Sequence, residues 1–299
     1  MKDLIILGNG MAGMTAALYA KRANLDFKIV GRDEYDFGQI SNAILVENFP
    51  CMEPISGFDL AMKLHDQLSN NGIEIEEHEV IKISKQLGKS ITKGHVPIFY
   101  KIEYTDGTYD EAKAVIYALG AKHRELNCEI EEDIPIHYCA LCDGALYGDK
   151  RVAVIGGGDV AFTQAEYLSK ICKEVYIIMC DHNVTASPST FERVSKIYNV
   201  YIDYDCPVTR VTKDAEGILW IWCKGVRGPI FAEGIFVSIG MIPNTTPIDI
   251  YDVVNKDGYV IALDTGISML NPGFFAAGDC RTKITRQALT AASDGANAV

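Results

Sequence analysis

Two short glycine-rich turns, each set between an apolar run and an alanine-bearing stretch, restrict what this chain can fold into more than any other feature of it. The first is Gly8-Asn9-Gly10-Met11-Ala12-Gly13, which follows the apolar run Leu4 to Leu7 and leads into Met14 to Ala20. A continuous apolar run reads as a strand buried on both faces, and the stretch beyond the glycines reads as a helix. The glycines permit a tight turn and let a pyrophosphate approach the amide groups at the helix N-terminus, where the dipole favours an anion. Such a turn alone is weak evidence. Its place after a first strand, with a second apolar run at Phe27 to Val30, makes it a dinucleotide-site pattern rather than a plain turn. Asp33 or Glu34, about 20 residues past the glycines, is placed to accept hydrogen bonds from a ribose. The second turn, Gly156-Gly157-Gly158-Asp159-Val160-Ala161, follows a strand read at Arg151 to Ile155 and precedes another at Val175 to Met179. Alanine at its third glycine position is a permitted variant. Two such units in one chain predict an α/β protein with two dinucleotide-binding, Rossmann-like three-layer domains.

Length agrees, since 299 residues exceed the usual size of a single core. With 48% hydrophobic and 23% charged residues the composition is ordinary globular usage, and no apolar run reaches membrane-span length. The stretch Met1 to Leu7 has one basic residue before an apolar run that ends in glycines, so it reads as a first strand and not as an export signal. Nine cysteines, an odd number, then predict reduced thiols in a reducing compartment, the cytoplasm, with any disulfide catalytic rather than structural. A net charge of −12 argues against nucleic acid or an anionic membrane as partner, because both repel an acidic surface.

Between the two glycine turns lies Cys139-Ala140-Leu141-Cys142-Asp143-Gly144. Two cysteines separated by two residues can close a small disulfide ring, accept two electrons and pass them on by thiol exchange. Asp143 beside the second cysteine can supply the proton that exchange needs. A zinc site would ask for a second such pair, whereas Cys172, Cys180, Cys206 and Cys223 are singly scattered. Elsewhere, Phe37 to Pro50 reads as an irregular loop, Leu60 to Leu68 as a helix, and Ile73 to Ile83 as strands at the sheet edge. Ala114 to Leu119 and Gly234 to Ile239 read as strands ending at Gly120 and Gly240, the two hinge candidates. A last strand runs into Asp279, and Arg286-Gln287-Ala288 opens a helix. Four lysines without an acid between Lys82 and Lys93 read as a solvated loop or as a docking patch for an acidic protein.

Taken together, Gly8 to Gly13, Gln39 with Val46-Glu47-Asn48-Phe49-Pro50, the Cys139-x-x-Cys142-Asp143-Gly144 motif, Gly156 to Ala161, and Phe275 to Asp279 with Arg286-Gln287-Ala288 resemble the low-molecular-weight thioredoxin reductase family over essentially the whole chain. The resemblance implies non-covalent FAD held by Gly8, Gly10, Ala12, Gly13, Glu34, Gln39, Asn48, Val80, Gly120, Asp279, Arg286, Gln287 and Ala288, with Asp279 reaching the ribityl chain. It implies a split FAD domain of residues 1–118 and 240–299, an inserted NAD(P)-binding-like domain of residues 119–239 carrying the dithiol, Asp143 as proton donor or acceptor, thioredoxin as substrate, and a homodimer.

One departure from that family bears on the electron donor. Members that use NADPH carry a His-Arg-Arg-x-x-x-Arg pattern after the second strand of the inserted domain, because guanidinium forks grip the 2′-phosphate. Here the stretch reads Met179-Cys180-Asp181-His182-Asn183-Val184-Thr185, with no arginine and with an acid that repels phosphate. The chain in this respect resembles the ferredoxin-dependent flavin thioredoxin reductases, so reduced ferredoxin is the expected donor and NADPH an unlikely one. Two other readings stay open: a disulfide reductase using NADH or NADPH through an unusual site, and a flavin-bearing redox sensor without turnover. A dithiol packed on a flavin is hidden from a protein disulfide, and rotation about Gly120 and Gly240 would resolve that conflict.

Overall fold

The computed structural model describes every residue except 44, 45, 47, 89–95, 264 and 268–270. The chain separates into two compact units, Met1–Lys122 with Ile242–Val299, and His123–Met241.

In the first unit Lys2–Leu7 is a strand with Ile5, Ile6 and Leu7 fully buried. Burial of such a side chain stabilises by about 1.5–3 kcal/mol, and covering on both faces is why the run is apolar throughout instead of alternating. It pairs in parallel with Phe27–Gly31 on one side, Leu4 opposite Phe27, and with Tyr109–Tyr117 on the other, Ile5 opposite Val115. Among the described residues the sheet continues through Ile75–Glu77 at one edge, and through the antiparallel pair Ile98–Tyr104 and Val80–Leu87 toward the short strand Ile248–Asp249 at the other. Val80–Leu87 is therefore an interior strand, not the edge expected from its sequence, because the distant Ile248–Asp249 covers it. Phe274–Ala276 returns beside Tyr109–Tyr117 in parallel. The helix Met11–Arg22 packs its Ala12 and Ala16 against Gly295 of the C-terminal helix Ala288–Asn297, where any side chain would run into the Ala12 carbonyl. A third helix, Gly57–Asn70, starts under Ser56, whose Oγ accepts from Asp59 N at 3.0 Å.

The second unit holds a wholly parallel sheet in the order Val200–Asp203, Glu174–Ile178, Arg151–Ile155, Gly234–Val237, Ile136–His137. The helices Asp159–Leu168 and Pro188–Val194 belong to it, with Phe162 and Phe191 meeting edge to face at 5.6 Å. A smaller sheet of Ile230–Ala232, Leu219–Cys223, Val208–Lys213 and Glu129–Ile130 adds the tryptophan-bearing hairpin, anchored by Trp220 Nε1 donating to Asp214 Oδ2 at 3.0 Å. In this unit the glycine turn, residues Met179 and beyond, Ser238 and Tyr138-Cys139 all leave the carboxyl ends of their strands. That is the edge at which open parallel sheets bind ligands.

Candidate active site

Strand Ile136–His137 pairs with Gly234–Val237, His137 opposite Phe236, and delivers Cys139 to the carboxyl edge. Cys139 caps the short helix Ala140–Asp143, its Sγ accepting from Cys142 N at 3.2 Å and its carbonyl from Asp143 N at 3.0 Å. That one turn of helix brings the two Cα atoms to 5.3 Å, and Cys139 and Cys142 form a disulfide. The segment is tied to the helix behind it by Gln164 Nε2 donating to Tyr138 O at 3.0 Å. Leu141 and Leu146 stand exposed beside the pair.

Asp143 is buried, with Oδ2 at 3.1 Å from His137 Nδ1 and Oδ1 shut from solvent without a hydrogen-bond partner. The other ring nitrogen of His137 is 2.7 Å from the Tyr147 hydroxyl. Burial, with the Asp143 carboxylate adding to it, pushes the Tyr147 phenol up to about 12. Sequence reasoning singled out Cys139, Cys142 and Asp143 and missed His137 and Tyr147. The available signal was a histidine two residues before the dithiol.

In the first unit, Gly8 has φ +106° and a Cβ there would strike the Ala118 carbonyl, while Gly13 sits against the Gly8 carbonyl, so the helix start is seated directly on the turn. Gly10 is the N-cap and offers no side chain, which leaves the first amides of Met11–Arg22 available to an anion. Asn9 Nδ2 donates to Asp33 O at 2.8 Å and joins the turn to the end of the second strand. Of the two ribose candidates there, Asp33 accepts from its own Tyr35 N at 2.8 Å and Glu34 Oε1 lies 3.1 Å from His65 Nε2.

The helix start also meets the turn before Asp279, since a Cβ on Gly278 would come within 3.0 Å of the Ala12 Cβ. Gln287 caps the helix that Ala288 opens and accepts from Asn48 Nδ2 at 3.1 Å, bringing residues from opposite ends of the chain together. Arg286 lies over the Tyr259 ring at 4.4 Å, and Gln39 donates to Ala121 O at 2.5 Å. Val80 begins its strand opposite Tyr104, close after His78 N donates to Gly31 O at 2.8 Å. Gly120 has φ +66° and accepts from Asn244 N at 3.0 Å. Glu47 of the resemblance motif lies outside the described residues. Asp279 Oδ1, Arg286 Nε and Ser41 Oγ are buried without partners, and burial raises the Asp279 carboxyl above the usual range against the pull of Lys283 and Arg286. A glycine turn with bare amides, together with orphaned donors and acceptors in the same unit, fits the pyrophosphate and polyol of FAD.

A family model described as "Pyridine nucleotide-disulphide oxidoreductase" matches residues 2–295. The chain belongs to that family. Among its relatives, a Clostridium pasteurianum protein described as a "34.2 kDa protein in rubredoxin operon" is 37% identical, over 98% of this chain and 93% of that protein. The thioredoxin reductase of Listeria innocua is 32% identical, over 98% of this chain and 90% of its own. The crystal structure of thioredoxin reductase from Streptococcus pyogenes superposes with a TM-score of 0.85 at 33% identity, covering 100% of this chain and 95% of that one. This oxidoreductase thus has the α/β fold of Rossmann-like domains expected from its glycine turns, and FAD is the cofactor expected of it.

At the second glycine turn of this oxidoreductase the neighbouring chain is drawn in tightly. A Cβ on Gly157 would meet Met179 Cε at 2.8 Å, and Thr185 N and Ala186 N donate to Gly157 O at 2.9 and 3.1 Å. Asp181 accepts from Asn183 N at 2.8 Å, and His182 pairs with Asp205. Of the four lysines between Lys82 and Lys93, Lys82 pairs with Asp249 at 2.9 Å and Lys85 donates to Asn271 at 3.1 Å, while Lys89 and Lys93 lie outside the described residues.

A second expectation is corrected. Cys206 and Cys223, read as scattered thiols, form a second disulfide with Cα atoms 5.0 Å apart. The hairpin register sets Cys223 opposite Val208, with Cys206 just before that strand, a proximity that a separation of 17 residues does not reveal. This disulfide stands in the small sheet, outside the dithiol motif, so the rule that any disulfide here is catalytic fails. Among the described residues no cluster of His, Cys, Asp and Glu could hold a metal, and no helix is long and apolar enough to cross a membrane.

Proposed function

We propose that this oxidoreductase is a flavin-dependent thioredoxin-disulfide reductase that works as a homodimer in the cytoplasm and draws its electrons from reduced ferredoxin. The observation that carries the reading is the Cys139–Cys142 disulfide at a strand end, with a buried carboxyl next to it in sequence. FAD, held by the first unit, would supply the two-electron chemistry that reduces this disulfide. The disulfide takes up two electrons and two protons to become a dithiol, which then attacks the thioredoxin disulfide through a mixed disulfide and closes again. The exposed Leu141 and Leu146 supply apolar contact for a protein substrate. Gly8, Gly10, Ala12 and Gly13 seat the pyrophosphate, Asp279 and Arg286 offer their orphaned polar atoms to the cofactor, and Gln39, Asn48, Val80, Gly120, Gln287 and Ala288 line its bed. The unit 1–122 with 242–299 is accordingly the flavin domain, and 123–241 carries the dithiol.

For the donor, the support is chemical. Met179 lies on the glycine turn and no arginine stands between Met179 and Thr185, so nothing there grips a 2′-phosphate bidentately. A nicotinamide-dependent route is the second reading, favoured by the relatives named thioredoxin reductase and by the family's own description. Anaerobic visible spectroscopy separates the two. NADPH and then NADH are added to the flavoprotein, followed by reduced ferredoxin with thioredoxin. The donor proposal predicts that only ferredoxin bleaches the flavin and supports thioredoxin reduction; rapid bleaching by either nicotinamide at micromolar concentration would replace it with the second reading. Light scattering on the eluted protein tests the dimer.

A further inference from the structure

His137 and Tyr147 extend the buried Asp143 into a chain of polar atoms, and the dithiol chemistry described so far gives those two residues no part. We propose that His137 is a positioning residue for the proton step: held by Tyr147, it donates to Asp143 Oδ2 and so turns Asp143 Oδ1 into the oxygen that exchanges a proton with the dithiol. The inference rests on the dithiol reading above and goes beyond it by naming what controls its acid.

In the arrangement proposed, the Tyr147 phenol, pushed up to about 12, donates to His137 Nε2 across 2.7 Å, and the ring proton is on Nδ1, donating to Asp143 Oδ2 across 3.1 Å. Asp143 Oδ1, buried without a hydrogen-bond partner, is the oxygen this arrangement assigns to the proton exchange. The ring has little freedom to turn, since Tyr147 and Phe236 flank it at 5.3 and 5.2 Å and His137 is 3% exposed. Other charged or titratable groups around it are few. Lys150 lies 5.6 Å from the Tyr147 ring, the helix Asp159–Leu168 presents Tyr167 beside Gly144, and the strand Gly234–Val237 presents the uncharged Phe236.

The balance of the step is closed. One cysteine thiolate, its proton lost to solvent, attacks the substrate disulfide; that S–S bond breaks as a mixed disulfide forms, and the leaving thiolate takes the proton from Asp143 Oδ1. The other cysteine gives its proton to the Asp143 carboxylate as it attacks the mixed disulfide, and the second leaving thiolate takes a proton from solvent. The protein dithiol is oxidised, the substrate disulfide is reduced to two thiols, and Asp143 ends as it began. His137 stabilises the carboxylate between the two events.

The test compares two disulfides with the reduced, flavin-loaded protein. A dialkyl disulfide leaves as a basic thiolate that needs the proton, whereas an aromatic disulfide leaves as a stable thiolate that does not. In His137→Ala the rate with the dialkyl disulfide at a fixed pH is expected to fall roughly tenfold, toward the loss of a general acid, with the aromatic rate within about twofold. His137→Asn, which returns an N–H near the Nδ1 position, should recover most of the dialkyl rate, and Tyr147→Phe should show a smaller selective loss. Equal losses on both disulfides, or an unchanged dialkyl rate, would make His137 a packing residue only and overturn the proposal. Should His137→Ala not fold, a selective effect of Tyr147→Phe sustains the inference and its absence ends it. If the unmodified protein reduces neither disulfide, it is the dithiol reading that fails.

Discussion

Asp279, proposed above to hold the flavin, is a residue whose burial works against the apoprotein. Its Oδ1 is buried without a partner, and burial raises its carboxyl above the usual range despite Lys283 and Arg286 nearby. A carboxyl raised in the folded state binds its proton more tightly there than in the unfolded chain. Its contribution is therefore neutral below the unfolded value and turns unfavourable as pH rises through the raised one. Asp279→Asn should stabilise the flavin-free protein at pH 7.5 and leave it nearly unchanged at pH 4, while weakening FAD binding; urea midpoints at the two pH values and a flavin titration check both halves. Cys280, one residue on, is fully buried and pushed up to about 12. It should resist alkylation in the native protein at pH 8, whereas the exposed Cys51 and Cys180 react, as peptide mass mapping would show. The thiol that adjoins the candidate flavin residue is thus inert by burial, while the paired one at Cys139 is half-exposed.

Among the elements, the hairpin of Val208–Lys213 and Leu219–Cys223 carries the feature least visible beforehand. Its Cys206–Cys223 disulfide closes a loop of 17 residues, and loss of such a closure costs about 3 kcal/mol by the chain-entropy argument. Cys206→Ser should lower stability by that order under oxidising conditions and by much less in excess reductant, measured by chemical denaturation, with the Cys139–Cys142 exchange unaffected. The C-terminal helix offers the electrostatic counterpart. Asp294 accepts from Gly278 N at 3.0 Å and holds Arg281 and Lys283 at 2.8 and 2.9 Å, so one carboxylate ties the Asp279 turn to helix Ala288–Asn297. The strand–turn–helix at Gly8 was legible because each part has a local cause: an apolar run, glycines where a Cβ cannot fit, and small residues where two helices touch. Asp294 has no such local signal, since its partners approach from outside the helix period.

On the scale of the whole molecule, two compact units joined by two chain crossings imply separable stabilities. The residues proposed to hold the flavin all fall in the unit 1–122 with 242–299, so FAD binding should raise the thermal transition of that unit alone. At a hundredfold excess over Kd the shift corresponds to about 2.7 kcal/mol. Differential scanning calorimetry with and without added FAD would show one transition moving and one staying; joint movement would mean that the units unfold as one. A net charge of −12 sets a further condition on any acidic donor, because long-range repulsion must be overcome by a local basic surface. Of the four lysines read as a solvated loop or a docking patch, two are already paired with Asp249 and Asn271.

What the chain's own order of residues settled was everything that depends on neighbours: two glycine turns after buried strands, a dithiol one helical turn long, an acid next to it, and the lack of arginines at Met179 to Thr185. These follow from short-range sterics and periodicity, which need no knowledge of the rest of the chain. Tertiary structure alone decided the contacts between residues far apart or on different elements. It placed His137 between Asp143 and Tyr147, brought Asn48 to Gln287, joined Cys206 to Cys223, and set Met179 upon Gly157. Such contacts are selected by the packing of whole sheets and helices, and the free energy that fixes them is not written in any local stretch.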